Sequence, residues 1–375
     1  MVHYLDNAAT TPVSEKSAEA VMEILRDYYG NPSSLYSIGI KASKKYEHAR
    51  EVIAESLGCR PEEIFFTGCG TESNNLAIFG AARARKAWGN EVIVTGYEHP
   101  SVQNTVDALK DEGFEVITIA PKNGVIEPEE IISHVSPKTV LVTAMMVNNE
   151  TGAMLDVPYI SKKVKEINKR TAVHCDFVQG YMKEKIDLAA IDTLSASGHK
   201  INAPKGIGIL YMRKGFNLRK TQFGGGQEKG IRSGTENIAF ACGFAAAVEE
   251  HKDIEGNARK IAALKAMLTE GLGEFDNVTI NSPESSTPYV LNFSFEGYRS
   301  ETVLHFLEAR DVYVSSGSAC SKGERSHTLE AMKLPSKLVD SAIRVSFGLQ
   351  NTEDDVKALL DGLREAGQSL MKAKR

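Results

Sequence analysis

The chain has 375 residues, of which 42% are hydrophobic and 25% charged, with a formal net charge of −5. This composition is typical of a globular protein with a sizeable core, and it excludes low-complexity and largely disordered classes. No apolar run is long enough to cross a bilayer, the N-terminus lacks the basic and apolar regions of a signal peptide, and no basic surface is indicated. We therefore expect a cytoplasmic protein that binds neither membranes nor nucleic acids directly.

Short apolar runs alternate with amphipathic stretches over the first two thirds of the chain, including a predicted helix at residues 156–169. Strands and helices at this spacing predict a mostly parallel sheet covered on both faces. The nearly continuous apolar character of the runs is typical of such strands. The predicted strands are residues 63–66, 91–94, 115–119, 140–143, 172–175 and 207–211.

The pattern changes near residue 233, where residues 233–236 resemble a capping box that opens a long, Ala-rich, weakly interrupted helical stretch to about Leu272. Strands and a last helix follow. We therefore predict a large α/β domain over residues 14–250 and a small α+β domain formed by residues 1–13 with 251–375. The predicted strands of the small domain are residues 289–294, 311–314 and 343–347. Its last predicted helix starts with a sequence like a capping box at Thr352 and has an apolar face formed by Val356, Leu359, Leu360 and Leu363.

The five cysteines are widely spaced, so the sequence predicts neither a disulfide framework nor a structural zinc site. Cys320 differs from the others because small residues surround it, in the segment 314–323. A loop thiol in such a segment can reach a site and attack a substrate, whereas the alternative is an ordinary exposed cysteine. The sequence alone leaves these two readings equally weighted.

Polar residues follow the ends of several predicted strands, where an open α/β sheet binds its ligand. The glycine turn at residues 67–72 leads into a predicted helix and can bind an anion such as phosphate. His99 can stack on a ring and move protons, and Asn149 supplies an amide at another strand end. Asp176 and Lys200 follow two further strands. Each residue has a plainer reading as a turn, cap or surface residue, but a single site explains all of them better than five coincidences.

Lys200 and Asp176 together point to pyridoxal phosphate. A lysine amine at a strand end is well placed to form a Schiff base with the cofactor's aldehyde. An aspartate beside the pyridinium nitrogen keeps that nitrogen protonated, which makes the ring an electron sink. Gln179, on the loop after Asp176, can donate a hydrogen bond to the phenolic oxygen of the ring.

Taken together, these motifs resemble the cysteine desulfurases of the NifS/IscS type, within the class V aminotransferase superfamily. The likeness runs from residues 4–12 to residues 343–348 and so covers nearly the whole chain. It implies the fold of type I pyridoxal-phosphate transferases, which is aspartate aminotransferase-like, and a homodimer. The motifs that carry it are residues 197–200 (Ser-Gly-His-Lys), 315–320 (Ser-Ser-Gly-Ser-Ala-Cys), 224–228 (Gly-Gly-Gly-Gln-Glu) and 232–235 (Arg-Ser-Gly-Thr).

The resemblance implies a role for each candidate residue. Asn149 and Arg344 would bind the carboxylate of L-cysteine, and an Arg suits this role because its fork binds a carboxylate in two places. Cys320 would accept the sulfur, with Lys200 and His99 as the other catalytic residues. The implied contacts to the cofactor are Lys200 to its aldehyde carbon; Asp176, Gln179, His99 and Asn149 around its ring; Gly70, Thr71, Ser197 and His199 at its phosphate; and Thr235 at the phosphate from the other subunit.

The implied reaction gives L-alanine and a persulfide on Cys320. A sulfur-acceptor protein would receive that sulfur, either an iron–sulfur scaffold or a tRNA- or thiamine-modifying sulfurtransferase. No resident metal is expected, although Cys320 could transiently bind an iron–sulfur cluster. Cys69 and Phe177 depart from the family's usual small residues at their positions. The alternatives are an aminotransferase or selenocysteine lyase on the same fold, and a non-catalytic subunit that binds pyridoxal phosphate.

Overall fold

Helices and strands alternate along the chain in the computed structural model, which describes residues 1–122, 124–316 and 326–372. The strands in these ranges are β1 (His3–Tyr4), β2 (Ile64–Thr67), β3 (Glu91–Thr95), β4 (Glu115–Ile119), β5 (Thr139–Met145), β6 (Ala172–Asp176), β7 (Thr193–Ser197), β8 (Gly208–Met212), β9 (Val278–Ile280), β10 (Val290–Phe295), β11 (Val312–Tyr313), β12 (Ser315–Ser316) and β13 (Ala342–Ser346). The α-helices are α1 (Glu15–Asp27), α2 (Ser37–Leu57), α3 (Gly70–Arg85), α4 (Pro100–Asp111), α5 (Pro128–Ser133), α6 (Val157–Ile167), α7 (Ile238–His251), α8 (Ile254–Leu272), α9 (Ser300–Glu308), α10 (His327–Ala331), α11 (Ser336–Val339) and α12 (Glu353–Ser369). Short 3₁₀ turns occupy Pro61–Glu63, Gly198–Lys200 and Glu228–Gly230.

The larger sheet has seven strands in the order β2-β8-β7-β6-β5-β3-β4. Neighbouring strands are parallel except at β8, which runs antiparallel to both β2 and β7. Every residue of β5 and β6 is buried, as the continuous apolar runs predict for strands covered on both faces. The prediction of a mostly parallel α/β sheet is confirmed. Because β2, β3, β5, β6 and β7 run in the same direction, the polar residues that follow them gather at one edge.

A second sheet of four antiparallel strands has the order β12-β13-β10-β9. Its core is separate from that of the larger sheet and includes Phe293, Val345 and Leu359, all fully buried. The N-terminal segment joins this second core through Leu5, while β1 pairs with β11 in parallel. Residues 3–7 therefore pack with the C-terminal third of the chain.

The predicted, weakly interrupted helical stretch is confirmed from Ile238 to Leu272, but its predicted start at the capping box of residues 233–236 is wrong. The first helix, α7, begins at Ile238, because the side chain of Asn237 caps it by accepting from the backbone N–H of Phe240 at 3.1 Å. The stretch then breaks after His251, and the carboxylate of Asp253 accepts from Gly256 N–H at 3.0 Å to start α8.

The last predicted helix is confirmed. The Asp355 carboxylate accepts a hydrogen bond from the backbone N–H of Thr352 at 2.8 Å. This is one of the two reciprocal hydrogen bonds that make up the expected capping box. The predicted apolar face of α12 is buried in the second core. Among the helices of the described ranges, none combines the length and the apolar character that a bilayer crossing requires.

Candidate active site

A cavity of about 380 Å³ lies at the edge of the larger sheet where the parallel strands end. All the predicted cofactor and substrate residues except Thr235 line it. Cys320 lies outside the described residues. The lining residues are Ala8, Ala9, Cys69, Gly70, Thr71, Asn74, His99, Ser101, Met145, Asn149, Asp176, Val178, Gln179, Ser197, His199, Lys200 and Arg344.

The glycine turn brings a helix start against this cavity. Strand β2 ends at Thr67, and α3 begins at Gly70. A Cβ atom on Gly70 would lie 2.8 Å from Cγ2 of Val178, so a larger residue would push these walls apart. The first N–H groups of a helix have no intrahelical partner, which makes this position suitable for an anion. Cys69 lines the cavity in this turn and leaves its backbone donors in place.

Lys200 reaches the cavity from a short turn after β7. Its Nζ donates to the carbonyl oxygens of Ala8 at 2.6 Å and Ala9 at 2.8 Å, so the N-terminal segment positions the amine. Nδ1 of the neighbouring His199 lies 3.2 Å from Oγ1 of Thr10. Burial, with the charge of Lys200 next, lowers the pKa of His199 to about 3, which keeps that ring neutral.

Asp176 is the last residue of β6 and is 2% exposed. Its carboxylate accepts from Asn74 Nδ2 at 2.9 Å and from the backbone N–H of Val178 at 3.0 Å. These two donors fix the plane of the carboxylate at the cavity wall. Phe177 is buried in the main core and does not line the cavity.

His99 caps α4 beside Asp176. Its Nδ1 lies 2.8 Å from Oγ of Ser101 and accepts from the Ser101 backbone N–H at 3.1 Å. Burial lowers the pKa of His99, and the Asp176 charge partly offsets this effect. The preceding Glu98 is fully buried; burial, and then the Asp176 charge, raise its pKa to about 8.

Arg344 enters the cavity from β13 of the second sheet and is 2% exposed. Its Nη2 lies 2.7 Å from Oδ1 of Asp6, and its Nη1 donates to the carbonyl oxygen of Asn149 at 3.0 Å. The guanidinium is thus held from two sides, by the N-terminal segment and by the larger sheet. Ser315 of β12 pairs directly with Arg344 across the second sheet.

A sequence model of the family "Aminotransferase class-V" matches residues 3–359. The chain belongs to the class-V aminotransferase family. A cysteine desulfurase IscS of Methanosarcina thermophila is 36% identical over 376 residues, which is 98% of this chain and 92% of that relative. A solved NifS-like protein superimposes with a TM-score of 0.93 at 36% identity, covering 99% of this chain and 100% of that one. A structure of SspA in complex with cysteine has a TM-score of 0.82 at 33% identity, covering 93% and 99% respectively.

Three buried polar atoms of the cavity walls have no hydrogen-bond partner within the described residues. They are Oε1 of Gln179, Oγ of Ser197 and Nε of Arg344. Buried polar groups are normally paired, so unpaired atoms around one cavity fit a polar ligand that pairs with them. The NH₂ group of Gln179, expected to face a ring oxygen, donates to the Ala8 carbonyl at 2.9 Å.

Sequence reasoning missed several lining residues. Ala8 and Ala9 reach the site only through the tertiary fold, and no local pattern marks them. Asn74 could have been recognised from the sequence. It lies on the same buried face of α3 as Ala77 and Ile78, where a polar side chain is unusual. Thr235 is exposed and does not line the cavity of its own chain.

Proposed function

We propose that this chain is a pyridoxal-phosphate-dependent cysteine desulfurase, which takes sulfur from L-cysteine and releases L-alanine. The observation that carries the proposal is the single cavity at the strand ends whose walls hold the amine of Lys200, the carboxylate of Asp176, the imidazole of His99 and the guanidinium of Arg344. The names of the relatives support the same reaction, since one is a cysteine desulfurase and another was solved with cysteine.

The cavity residues fit the cofactor. The helix start at Gly70 and Thr71, with the unpaired hydroxyl of Ser197 and the neutral ring of His199, would hold the phosphate. Lys200 would bond the aldehyde carbon, and Asp176 would pair with the ring nitrogen. When bound, pyridoxal phosphate supplies an electron sink that stabilises negative charge at the substrate's α-carbon.

The substrate would be held by its carboxylate. Arg344 supplies the charge, and its buried Nε has no partner within the described residues, so it can donate to a bound oxygen. Asn149 lines the same wall and would support both substrate and cofactor. His99, as a neutral ring over the cavity, would stack on the cofactor and donate a hydrogen bond.

Cys320 would be the sulfur acceptor, and both flanks of its segment contact residues that adjoin the cavity lining. Ser316 pairs with Ile343 beside Arg344, and Ser326 donates to the carboxylate of Glu150, next to Asn149. In the transfer, the Cβ–S bond of the substrate breaks and an S–S bond forms at Cys320. The carbon skeleton takes up a proton and leaves as alanine.

The proposal includes a cytoplasmic homodimer that passes sulfur to an iron–sulfur scaffold or to a tRNA- or thiamine-modifying sulfurtransferase. The free thiols of Cys59, Cys69, Cys175 and Cys242 support a reducing compartment. Exposed large apolar side chains in the region from α1 to α2 support a dimer. They are Met22, Leu25, Tyr29, Leu35, Tyr36, Ile38 and Ile40. In such a dimer the exposed Thr235 would contact the phosphate bound by the other subunit.

The same proposal divides the chain into a large domain over residues 14–250 and a small domain formed by 1–13 with 251–375. The burial of Leu5 in the second core supports this division.

The test measures alanine and sulfide formed from L-cysteine, with a thiol reductant, by the protein loaded with pyridoxal phosphate. Lys200→Ala should lose the absorbance of the bound cofactor. Cys320→Ala should keep that absorbance and lose turnover, whereas Cys242→Ala, a thiol away from the cavity, should keep both. Unchanged turnover in Cys320→Ala would refute the role of Cys320 as sulfur acceptor.

Parallel assays with selenocysteine, and with alanine and a keto acid, distinguish a selenocysteine lyase and an aminotransferase from the proposed cysteine desulfurase. Cofactor binding without alanine formation would favour a non-catalytic subunit.

A further inference from the structure

Asn74 of α3 connects two cavity groups from different elements, Asp176 at the end of β6 and His99 at the start of α4. Its side chain is 1% exposed. The amide nitrogen Nδ2 donates to Oδ2 of Asp176 at 2.9 Å and to Oγ of Ser101 at 2.9 Å. The amide oxygen lies 3.0 Å from Nε2 of His174. Both hydrogens of the amide and its oxygen are therefore used inside the protein.

The orientation of this amide is fixed from two sides. A carboxylate accepts hydrogen bonds and does not donate them, so the NH₂ group has to face Asp176. The amide oxygen then faces His174, which must carry its hydrogen on Nε2. His174 is fully buried, and its Nδ1 lies 3.0 Å from Oγ1 of Thr193, which donates to it. Burial lowers the pKa of His174 to about 3, so this ring stays neutral with that hydrogen in place.

Asn74 also influences the protonation of the His99 ring, through the hydroxyl group of Ser101. Because the Ser101 hydroxyl accepts from Asn74, its own hydrogen is available for Nδ1 of His99, 2.8 Å away. The backbone N–H of Ser101 also donates to this Nδ1, at 3.1 Å. With two donors directed at it, Nδ1 is an acceptor, and the hydrogen of the neutral ring is on Nε2.

We propose that Asn74 is a positioning residue, which orients the Asp176 carboxylate directly and sets the tautomer of His99 through Ser101. What these two groups do in the reaction rests on the proposed function, but the positioning itself does not. The chain of hydrogen bonds presents His99 to a ligand as an Nε2–H donor. Protonating Nδ1 would require Ser101 to give up two hydrogen bonds, so the resting ring is a donor and not a proton acceptor.

The direct test is nuclear magnetic resonance of the protein labelled with ¹⁵N-histidine, which distinguishes a protonated from an unprotonated ring nitrogen. His99→Gln identifies the His99 signals. The wild-type spectrum should show an unprotonated Nδ1 and a protonated Nε2. In Asn74→Ala the signals should shift towards a mixture of tautomers. Asn75→Ala is the matched control, because that side chain donates to the Thr71 carbonyl on the same helix and should leave the His99 signals unchanged.

Kinetics of the holoenzyme provide the second readout. Asn74→Ala should lower kcat by about ten- to a hundredfold with little change in KM for cysteine, the range reported for losing an outer hydrogen-bond partner of a catalytic ligand. The pH dependence of the bound cofactor's absorbance should shift as well, because Asp176 loses a donor. Asn75→Ala should stay within about twofold of wild type.

The proposal is overturned if the wild-type spectrum shows a protonated Nδ1 on His99, or if Asn74→Ala leaves the His99 signals and the pH dependence unchanged. If Asn74→Ala does not fold, the wild-type spectrum and a Ser101→Ala variant decide the question, since Ser101→Ala removes the hydroxyl donor to Nδ1. Failure of the proposed function, in which the wild type forms no alanine from cysteine, would leave the histidine spectrum as predicted. The two failures are therefore distinguishable.

Discussion

Two buried polar clusters of the described ranges differ in whether the protein alone satisfies their hydrogen-bonding groups. In the Arg50–Glu228 cluster, beside β2, each oxygen of Glu228 accepts two hydrogen bonds. Arg50 donates at 2.8 and 2.9 Å, Tyr46 OH at 2.7 Å and the backbone N–H of Phe66 at 2.8 Å. In the cavity at the strand ends, by contrast, Gln179 Oε1, Ser197 Oγ and Arg344 Nε have no partner within the described residues.

This difference distinguishes buried polar groups that stabilise the fold from buried polar groups that are available to bind a ligand. A buried polar atom without a partner costs about 1–3 kcal/mol, so a sequence that only had to fold would pair it or replace it. The Arg50–Glu228 cluster is closed in the sense that both Glu228 oxygens are paired within the protein, although it lines a second cavity of about 410 Å³ that is also lined by Glu236, whose buried Oε2 has no partner within the described residues. Glu228 and Lys229 in this cluster have left-handed backbone conformations with φ of 46° and 54°. The cavity at the strand ends leaves its unpaired atoms around one space of about 380 Å³, where a ligand can pair them.

The largest effect is expected from opening the closed cluster. Arg50→Ala leaves the buried charge of Glu228 without its partner and should lower the free energy of unfolding by about 3–5 kcal/mol. Urea denaturation measures this value. Glu47→Gln is the control, because Glu47 bonds the same Arg50 from a side chain that is 56% exposed and should cost less than about 1 kcal/mol. Equal losses in the two variants would contradict the assignment of a closed structural cluster.

The fold of the larger sheet could be predicted from the sequence because burial on both faces leaves continuous apolar runs, such as the run at β5. The position of the break between α7 and α8 could not. Residues 238–272 are rich in good helix formers, and the interruption depends on Asp253 turning its carboxylate to the N–H of Gly256. Local propensity does not distinguish this cap from an ordinary exposed aspartate.

The cavity could be predicted at the strand ends, since topology alone brings residues such as His99 and Asp176 to one edge. The contributions of Ala8 and Ala9 could not be predicted. Their carbonyl oxygens hold Lys200, which is more than 190 positions away in the sequence. A backbone carbonyl carries no residue-type signal, so only the tertiary fold reveals this contact.

A smaller effect is expected at Glu98, the buried carboxyl group next to the cavity. Its Oε1 accepts from the backbone N–H of Met145 at 2.6 Å, while Oε2 has no partner within the described residues. Burial raises its pKa from 4.5 to about 8. Between these values the folded state binds more protons than the unfolded state, so this contribution is fully present below pH 4.5 and is lost as pH rises through about 8.

Glu98→Gln should remove this pH dependence. Relative to the variant, the wild type should lose on the order of 2 kcal/mol of unfolding free energy between about pH 6 and about pH 8.5, measured in urea. A Glu115→Gln variant, changed on the exposed edge strand β4, should follow the wild-type curve. If Glu98→Gln also follows the wild-type curve, the Glu98 carboxyl group is ionised in the folded protein across this range. The surroundings of the cavity are then more polar than the geometry indicates.

The smallest effect on folding, and the sharpest separation of the two kinds of cluster, is expected at Ser197. Its hydroxyl is buried without a partner, so Ser197→Ala should leave the free energy of unfolding of the cofactor-free protein unchanged or raise it by up to about 1 kcal/mol. The affinity for pyridoxal phosphate should fall about tenfold, because the ligand loses one hydrogen bond worth about 1.4 kcal/mol.

Ser161→Ala is the matched control, because the buried hydroxyl of Ser161 donates to the Pro158 carbonyl at 2.8 Å. Its loss should lower the free energy of unfolding by about 1 kcal/mol and leave the affinity for pyridoxal phosphate unchanged. If Ser197→Ala instead destabilises the cofactor-free protein as Ser161→Ala does, its hydroxyl has a structural partner, and the unpaired atoms of the cavity no longer indicate a binding site.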